Sequence, residues 1–279
     1  MTNDNRHEQF RQLHEREQLF ILPNPWDTGS ARFMAGLGFE ALATSSWAAA
    51  MSAGRMDGAG KTTLDVALEH AAMLVEATDL PVNADLEDGF GREPEAVAET
   101  VRQAIDCGLS GCSIEDTTGD EGAPLHEFDL AVERIEAAVD AARAAPHPFM
   151  LTARADGFSY GQPHLGHIIE RLQAFEAVGA DVLYAPELPS LDAVRTITAA
   201  TSKPLNVVAG LGLPADVTVS ELEAAGARRM SLGSSPYRAA MKGLLDALPV
   251  LLSDGDLEPL AGAAEFSVVE ELVQRGTPT

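Results

Sequence analysis

Three short segments of the 279-residue sequence carry acidic side chains that could bind a metal ion. VNADLEDGFG carries Asp85 and Glu87, SIED carries Glu115, and GRMDG carries Asp57. Carboxylates that converge on one point repel each other unless a hard cation lies among them, and ligands that offer only oxygen suit Mg²⁺ or Mn²⁺ rather than zinc. If the fold brings these segments together, the four carboxylates are candidate metal ligands.

The spacing of the acids gives a first reason to expect that they meet. Asp85 and Glu87 are two residues apart, so both side chains would point to one face of an extended chain. Each acid taken singly has a simpler interpretation as the start of a loop, in the way that Asp88 and Asp116 could serve as turn or cap residues. Asp85, Glu87 and Glu115 taken together favour a metal site.

Polar residues able to hold an anionic substrate follow other apolar runs. Arg154 lies in TARADG, and a guanidinium can bind a carboxylate through two parallel hydrogen bonds; a salt bridge to a neighbouring acid is the alternative. Glu187 in YAPE and Asn206 in LNVV are polar groups that could orient a substrate. Ser46 and Trp47, in SSWAAA, could present a hydroxyl and backbone N–H groups to a carboxylate, or the serine pair could cap a helix.

Short apolar runs alternate with amphipathic stretches along the whole chain, without a linker-like break. The runs predict eight strands, and several of the helical stretches between them end in glycine. The predicted strands are 20–23, 40–46, 81–87, 111–116, 149–156, 180–187, 204–210 and 227–233, and the clearest helices are 62–79, 93–108, 126–144, 168–180, 238–254 and 264–276.

Eight β-then-α units in about 235 residues are typical of an α/β fold of the (β/α)8 TIM-barrel type, whereas an open doubly wound sheet more often stops at five or six strands. We therefore expect one domain, residues 1–279, with an extra N-terminal helix at about 5–18 that covers the barrel floor and an extra C-terminal segment at about 255–279. In such barrels the chemistry takes place at the C-terminal ends of the strands. The acids and Arg154 stand at those ends.

Composition narrows the classes of partner. Lys and Arg total 19 against 43 Asp and Glu, a formal charge of -24, so neither nucleic acid nor an anionic membrane surface is an expected partner. A small anionic substrate is compatible with this composition if a metal ion or an arginine reverses the sign of the electrostatic field in its pocket.

No stretch reaches the roughly 18 apolar residues of a membrane span, and we expect a cytoplasmic protein. Cys107 and Cys112 are expected to be buried free thiols.

Together these segments resemble the isocitrate lyase/phosphoenolpyruvate mutase superfamily, and the resemblance runs from LPNPWDTGSAR to RRMSLGSSPYRAA. VNADLEDGFG resembles the metal motif of that family, SIED its strand-four acid, TARAD its substrate-binding arginine and SSWAAA its carboxylate-binding segment. The order and spacing of these strings make the resemblance specific. It implies a direct Mg²⁺ ligand in Asp85, metal-bound waters held by Asp57, Glu87 and Glu115, a substrate surrounded by Ser46, Trp47 and Arg154, and Glu187 and Asn206 nearby.

The resemblance also implies a mechanism. Members of the family share an enolate-like pyruvoyl intermediate, formed while a C–C or P–C bond breaks or forms, and a divalent cation stabilises the charge that grows on its oxygen. Arg154, Glu115 and Asp57 are the candidate catalytic residues. Because the family is usually tetrameric, with the eighth helix packed on a neighbouring subunit, a homo-oligomer, dimer or tetramer, is expected.

The sequence departs from the best-known lyases of this family. Their loop after strand four carries a lysine and a cysteine that acts as general acid, whereas this chain reads DTTGDEGAPLHEFD, and Cys107 and Cys112 lie outside that loop. Thr44 and Ser113 stand where those lyases have tyrosine and histidine. Cleavage of isocitrate or methylisocitrate in the usual way is therefore not expected. The loop also lacks the Lys and Asn of the mutase branch, which argues against phosphonopyruvate chemistry.

The sequence thus predicts a Mg²⁺-dependent lyase that cleaves a C–C bond in a small 2-oxo or 2-hydroxy carboxylate through a pyruvate-like enolate. The loop from Thr117 to His126 is expected to close over the site and exclude water. Two alternatives stay open. One is P–C bond chemistry, as a mutase or hydrolase acting on phosphoenolpyruvate or phosphonopyruvate, and the other is a barrel that binds metal and an oxo acid but has little or no turnover.

Overall fold

The computed structural model describes residues 4–57, 61–162 and 164–279. Along these residues β-strands alternate with α-helices in the predicted order. The strands are β1 (Phe20–Leu22), β2 (Leu42–Ala43), β3 (Val82–Asp85), β4 (Gly111–Glu115), β5 (Met150–Arg154), β6 (Val182–Tyr184), β7 (Leu205–Val208) and β8 (Arg229–Ser231).

Local sequence explains where the helices begin. Asp27 and Ser190, for example, accept a hydrogen bond from a backbone N–H of the first turn that follows them, which is the usual role of an N-cap residue. The helices are α1 (Asp4–Glu15), α2 (Thr28–Gly36), α3 (Ser46–Ser52), α4 (Leu64–Ala77), α5 (Pro94–Asp106), α6 (Phe128–Arg143), α7 (Leu165–Ala177), α8 (Leu191–Ala200), α9 (Val219–Ala224), α10 (Ser235–Asp254) and α11 (Phe266–Arg275), with a 3-10 turn at Glu258–Gly262.

The eight strands form one parallel sheet in the order β1-β8-β7-β6-β5-β4-β3-β2. The two ends of this order meet, because the backbone N–H of Ala43 in β2 donates to the carbonyl of Pro23, just after β1, at 2.9 Å. The Asn24 amide strengthens the closure by donating to the Thr44 carbonyl at 2.7 Å. The prediction of a (β/α)8 TIM barrel is confirmed.

The core lies between the sheet and the surrounding helices. In α5, Val97, Val101 and Ala104 recur at helical spacing and are fully buried, so one face of the helix packs on the barrel. At the other end of the barrel, Phe10 of α1 packs with Phe20, Met150 and Val182, which begin or lie close to the beginning of strands. The extra N-terminal helix therefore covers the barrel floor, as predicted.

The extra C-terminal helix is also confirmed. Helix α11 packs closely on α2, since a Cβ atom on Gly36 would lie only 2.0 Å from the Leu272 carbonyl oxygen. Glycine is required at this contact. Among the helices of the described residues, none combines the length and the apolar character needed to cross a lipid bilayer.

All eight predicted strands are longer than the observed ones, and for β2 and β3 the difference corrects a prediction about the site. Strand β2 ends at Ala43, because Ser45 caps helix α3, and β3 ends at Asp85, because the chain turns between Leu86 and Gly89. Glu87 has a φ of 48° and is not extended. The expectation that Asp85 and Glu87 share one face of a strand is therefore wrong, although both line the same cavity.

Candidate active site

The carboxyl ends of β3, β4 and β5 lie side by side, and Arg154 joins them. In the parallel register Asp85 pairs with Ser113, and Glu115 pairs with Arg154. Nη1 of the arginine lies 3.0 Å from Glu115 Oε2 and 3.7 Å from Asp85 Oδ1, while Nη2 donates to Asp156 Oδ1 at 2.6 Å. One guanidinium thus contacts three carboxylates from three neighbouring strand ends.

Negative charge exceeds positive charge at this end of the barrel. Burial, together with the charges of Asp85 and Asp57, raises the pKa of Glu87 to about 7. Burial also raises the pKa of Glu115 well above its usual range, although Arg154 opposes the shift. Carboxylates crowded enough to retain a proton near neutral pH would be stabilised by an added cation.

Neighbouring residues form hydrogen bonds to both the backbone and the carboxylate of Asp85. Its backbone N–H donates to Thr44 Oγ1 at 2.8 Å, which fixes the end of the strand. The Ser46 N–H donates to Oδ2 at 3.4 Å, and Ser113 Oγ donates to Oδ1 at 3.5 Å. Thr44 and Ser113 stand where the best-known lyases of the family have tyrosine and histidine. Here both residues form hydrogen bonds to Asp85, the predicted direct metal ligand.

Three residues of the SSWAAA segment have different surroundings. Ser45 accepts from the Ala48 N–H at 3.4 Å, so the alternative interpretation of this serine pair as a helix cap is confirmed for Ser45. Ser46 lies beside Asp85, as just described. The indole of Trp47 packs edge-on against Tyr237, with ring centres 5.8 Å apart, and the structure does not bring this side chain to the carboxylates. Its backbone N–H remains a predicted substrate contact.

A small polar cavity of about 60 Å³ lies in the barrel mouth. Asn206 lines it together with Asp85 and Arg154. The Asn206 oxygen accepts from Arg229 Nε at 2.8 Å, and because a guanidinium only donates, the Asn206 amide nitrogen must face Ser231, whose Oγ it reaches at 3.1 Å. Asn206 therefore lines the cavity with a fixed amide orientation, and its role in orienting a substrate stays a prediction.

Glu187 lies three residues beyond the end of β6. It has a φ of 57°, and its backbone packs so closely on Gly212 that a Cβ there would lie 2.3 Å from the Glu187 carbonyl carbon. Its negative charge is one of the smaller influences that raise the pKa of Asp156, after burial, which is the largest. The structure therefore brings Glu187 near the Arg154–Asp156 pair.

Several buried polar atoms at the mouth lack a hydrogen-bond partner among the described residues. Nε of Arg154 is an unused donor, and Oδ2 of Asp156 and Oδ1 of Asn83 are unused acceptors. Buried polar groups in native proteins are almost always paired with protein, water or ligand. Of these residues, Asn83 and Arg154 line the small mouth cavity, where a water or a polar ligand could pair with such atoms.

A second, larger cavity of about 260 Å³ opens beside the first. Asp85, Glu87 and Ser46 line its polar end, and Asp85 is common to both cavities. The opposite wall is largely apolar and comes from α3 and α4; it includes Ala49, Ala50, Ala53, Val66, Ala67 and Met73. A substrate held at Asp85 has space in both directions.

The loop after β4 is folded back on itself beside the site. Thr117 and Leu125 form an antiparallel bridge, and Thr117 Oγ1 donates to Glu115 Oε1 at 2.7 Å. Arg171 fixes the base of the loop by donating to Asp116 Oδ2 at 3.1 Å and to the His126 carbonyl at 2.7 Å. Closure of this loop over a substrate stays a prediction.

The donor set fits a hard divalent cation that keeps part of its water shell. Within residues 4–57, 61–162 and 164–279, no three His, Cys, Asp or Glu side chains are arranged to enclose an ion by themselves. Mg²⁺ commonly binds through one or two carboxylates and several waters, so a full protein cage is not required. The crowded carboxylates around Asp85 meet that requirement with oxygen ligands alone.

Sequence reasoning missed some residues of the site. Asp156 and Tyr184 are absent from the predicted site residues, yet Asp156 fixes the Arg154 guanidinium, and the centre of the Tyr184 ring lies 5.3 Å from the Arg154 Cζ atom. The sequence signal was present in both cases, because Asp156 follows strand five and Tyr184 ends strand six. Polar residues at the C-terminal ends of the strands are therefore the sequence feature that identifies the residues of the site.

Comparison with known proteins agrees with this geometry. The family model described as phosphoenolpyruvate phosphomutase matches residues 10–252. A crystal structure from Burkholderia cenocepacia J2315, provisionally described as a lyase/mutase, has a TM-score of 0.92 at 45% identity and covers 96% of this chain and 95% of that chain.

Two curated relatives extend the comparison. A 2-methylisocitrate lyase from Shewanella oneidensis is 29% identical over 78% of this chain and 75% of its own length. An oxaloacetate decarboxylase from Paraburkholderia xenovorans is 29% identical over 94% of this chain and 87% of its own length. The resemblance deduced from the motifs is confirmed, and the chain belongs to the phosphoenolpyruvate phosphomutase family, an enzyme family within the isocitrate lyase/phosphoenolpyruvate mutase superfamily.

Proposed function

We propose that this chain is a Mg²⁺-dependent (or Mn²⁺-dependent) lyase that cleaves a C–C bond in a small 2-oxo or 2-hydroxy carboxylate through a pyruvate-like enolate. The observation that carries the proposal is the cluster of carboxylates around Arg154 at the mouth of the barrel. The names of two relatives, a 2-methylisocitrate lyase and an oxaloacetate decarboxylase, support C–C chemistry.

Four carboxylates would hold the metal. As the family resemblance implies, Asp85 would bind it directly, and Glu87, Glu115 and Asp57 would hold its water molecules. When bound, a divalent cation supplies positive charge to the oxygens of a 2-oxo acid, where negative charge develops in the transition state.

The remaining site residues bind and orient the substrate. Arg154 pairs with its carboxylate, using a guanidinium that Asp156 holds in place and whose Nε is unused within the described residues. Asn206 offers its amide N–H, Ser46 its hydroxyl group and Trp47 its backbone N–H. The loop from Thr117 to His126 excludes water from the reacting centre.

The size of the mouth cavity supports a small substrate. Its volume of about 60 Å³ is only several times the roughly 10–15 Å³ that one water molecule occupies by the same measure. An oxalate-sized or pyruvate-sized fragment suits this space, and the larger neighbouring cavity takes the rest of the substrate.

A substrate panel with and without Mg²⁺ tests the proposal. We expect release of pyruvate or glyoxylate from one or more 2-oxo or 2-hydroxy di- or tricarboxylates, only when the metal is present. Asp85→Ala should abolish both turnover and Mg²⁺ binding measured by calorimetry. The matched control is Asp192→Ala, because that carboxylate is exposed and pairs only with Arg195. Unchanged metal affinity in Asp85→Ala would refute the site.

A second reaction class has its own support. The matching family model is described as phosphoenolpyruvate phosphomutase, so phosphonopyruvate and phosphoenolpyruvate belong in the same panel. Phosphorus NMR that detects orthophosphate or an interconverted product would favour P–C chemistry over C–C cleavage. Tight oxalate binding without turnover of any substrate would instead indicate a binding protein.

We also propose that the chain forms a homo-oligomer, dimer or tetramer, in the cytoplasm. Helix α10 exposes an apolar stripe at Leu244, Leu245, Leu248 and Leu252, and the last of these is 86% exposed. A contiguous apolar stripe of this kind is typical of a surface that is covered by a partner.

A further inference from the structure

The loop that follows β3, residues 86–92, has an unusual backbone conformation. Glu87, Gly89 and Phe90 have φ angles of 48°, 79° and 56°. Residues other than glycine adopt this left-handed conformation only at an energetic cost. Because Glu87 is a candidate metal ligand, the direction of its carboxylate depends on a conformation that other residues must maintain.

Arg134, in the middle of α6, holds this loop from outside. Its side chain is 1% exposed, and its guanidinium donates to the carbonyl oxygens of Asp88, Gly91 and Arg92. Among the described residues no carboxylate lies within salt-bridge distance of it, and burial lowers its pKa more than the charges of Asp88, Asp116 and Glu93 raise it. Burying a guanidinium without an ionic partner is costly, and an aliphatic side chain would fill the same space at lower cost. The residue is therefore best explained by its directional hydrogen bonds.

Other hydrogen bonds connect the loop to the metal-binding strand ends. Thr100 Oγ1 donates to the Gly89 carbonyl at 2.8 Å. The Glu115 N–H donates to the Glu87 carbonyl at 2.9 Å, so the backbones of two candidate ligands are directly bonded. A shift of the loop would therefore change the position of Glu87 relative to Glu115.

We propose that Arg134 is a positioning residue for the metal site. By donating to three loop carbonyls, it keeps the loop at residues 86–92 in its left-handed conformation and thereby directs the Glu87 carboxylate toward Asp85. The metal part of this inference rests on the proposed function, whereas the conformational part does not.

Two measurements on Arg134→Lys test the proposal. Lysine keeps the positive charge but cannot span three carbonyl groups, so any change reports geometry rather than charge. We expect the backbone amides of residues 86–92 to exchange hydrogen at least tenfold faster, measured by mass spectrometry, and the Mg²⁺ affinity to fall at least tenfold by calorimetry. Ile135→Val is the control, because Ile135 is the next residue of α6 and is buried in the core. Both values should stay within twofold of wild type in this control.

The outcomes separate this inference from the proposed function. Unchanged exchange at residues 86–92 in Arg134→Lys overturns the positioning role, whatever the metal affinity. Faster exchange with unchanged Mg²⁺ affinity also overturns it, because the loop would then not direct a ligand. A wild-type protein that binds no Mg²⁺ refutes the proposed function, and the exchange measurement still decides whether Arg134 holds the loop. If Arg134→Met also folds, it should show larger changes in the same directions.

Discussion

Two arginines are buried at different levels of the same barrel, and their surroundings are opposite in character. Arg154, at the C-terminal mouth, contacts three carboxylates, and these raise its pKa well above the usual value although burial acts in the other direction. Arg229, at the start of β8, contacts neutral groups: His14 at 3.2 Å, Asn206 at 2.8 Å and Thr152 at 3.0 Å. Burial lowers its pKa to about 9.

The difference shows how the barrel separates binding from support. At the mouth, acidic groups outnumber the cation that compensates them, and the surplus negative charge is available for a metal ion. Inside the barrel, Arg229 has no such surplus around it, and its hydrogen bonds fix the direction of the Asn206 amide. Arg154 therefore belongs to an ionic cluster, whereas Arg229 acts through the orientation of its neighbours.

The largest effect is expected from Arg154→Met. Removing the guanidinium leaves the buried carboxylates of Glu115 and Asp156 without their partner, so the free energy of unfolding should fall by about 3 kcal/mol at pH 7. Turnover should fall by roughly 10²-fold or more, because the substrate carboxylate loses its cation. Mg²⁺ should bind about tenfold more tightly, because a positive charge beside the acids has been removed. Chemical denaturation, kinetics and calorimetry measure the three quantities.

Arg143→Met is the matched control for this variant. Arg143 also pairs with an aspartate, Asp181, but its side chain is 48% exposed, and such pairs contribute little. A variant of Arg154 that bound Mg²⁺ more weakly than wild type would contradict the view that the arginine and the metal compete for the same surplus of acidic charge.

The sequence allowed the barrel and the strand-end groups to be predicted for a physical reason. Apolar runs of strand length separated by amphipathic helices define the β-then-α order, and parallel strands of a barrel bring their carboxyl ends together. Asp85, Glu115 and Arg154 each end a strand, so their convergence follows from topology alone.

The same reasoning fails beyond the last residue of a strand. Glu87 lies only two residues after Asp85, but its left-handed backbone depends on donors from Arg134, which is 47 positions away in the sequence and in another helix. A local pattern contains no information about such a contact. Arg134 itself has the appearance of an ordinary arginine on an amphipathic helix.

Trp47 shows that residues adjacent in the sequence can also have different surroundings. The sequence predicts a backbone N–H of Trp47 at the substrate but does not place its indole, which packs against Tyr237 at the start of α10. Helix α3 begins at Ser46, and the helical backbone turns successive side chains by about 100°. Adjacent residues at a helix start therefore face different surroundings.

A smaller effect is expected from Arg229→Met. His14, Asn206 and Thr152 would lose a buried donor, while the cost of burying a charge disappears, so the net loss of stability should be about 2 kcal/mol. The Mg²⁺ affinity should remain within twofold of wild type, in contrast to Arg154→Met. Arg228→Met is the control, since this neighbouring arginine contacts only the Ala227 carbonyl among the hydrogen bonds of the described residues. A tenfold change in metal affinity in Arg229→Met would remove the distinction between the two arginines.

The smallest effect at neutral pH, but one that grows in acid, is expected from His14→Gln. Burial, together with the charge of Arg229, lowers the pKa of His14 to about 3, and its Nδ1–H can donate to the Phe10 carbonyl at 2.7 Å while Nε2 accepts from Arg229. Glutamine can supply both an acceptor and a donor without titrating.

The direction of the pH effect follows from proton binding. An unfolded histidine binds a proton below pH 6.5, whereas the folded His14 does so only below about pH 3, so the stability that the neutral ring provides is lost as the pH falls between these values. Between pH 7 and pH 4.5 this loss amounts to about 2.5 kcal/mol. His14→Gln should therefore lose less stability than wild type over that interval, measured as the difference in denaturation midpoints at the two pH values. His126→Gln should also lose less stability than wild type over this interval, because burial lowers the pKa of His126 to about 4. Equal acid sensitivity in wild type and His14→Gln would mean that the ring is protonated in the folded protein, and Arg229 would then lack the neutral acceptor that distinguishes it from Arg154.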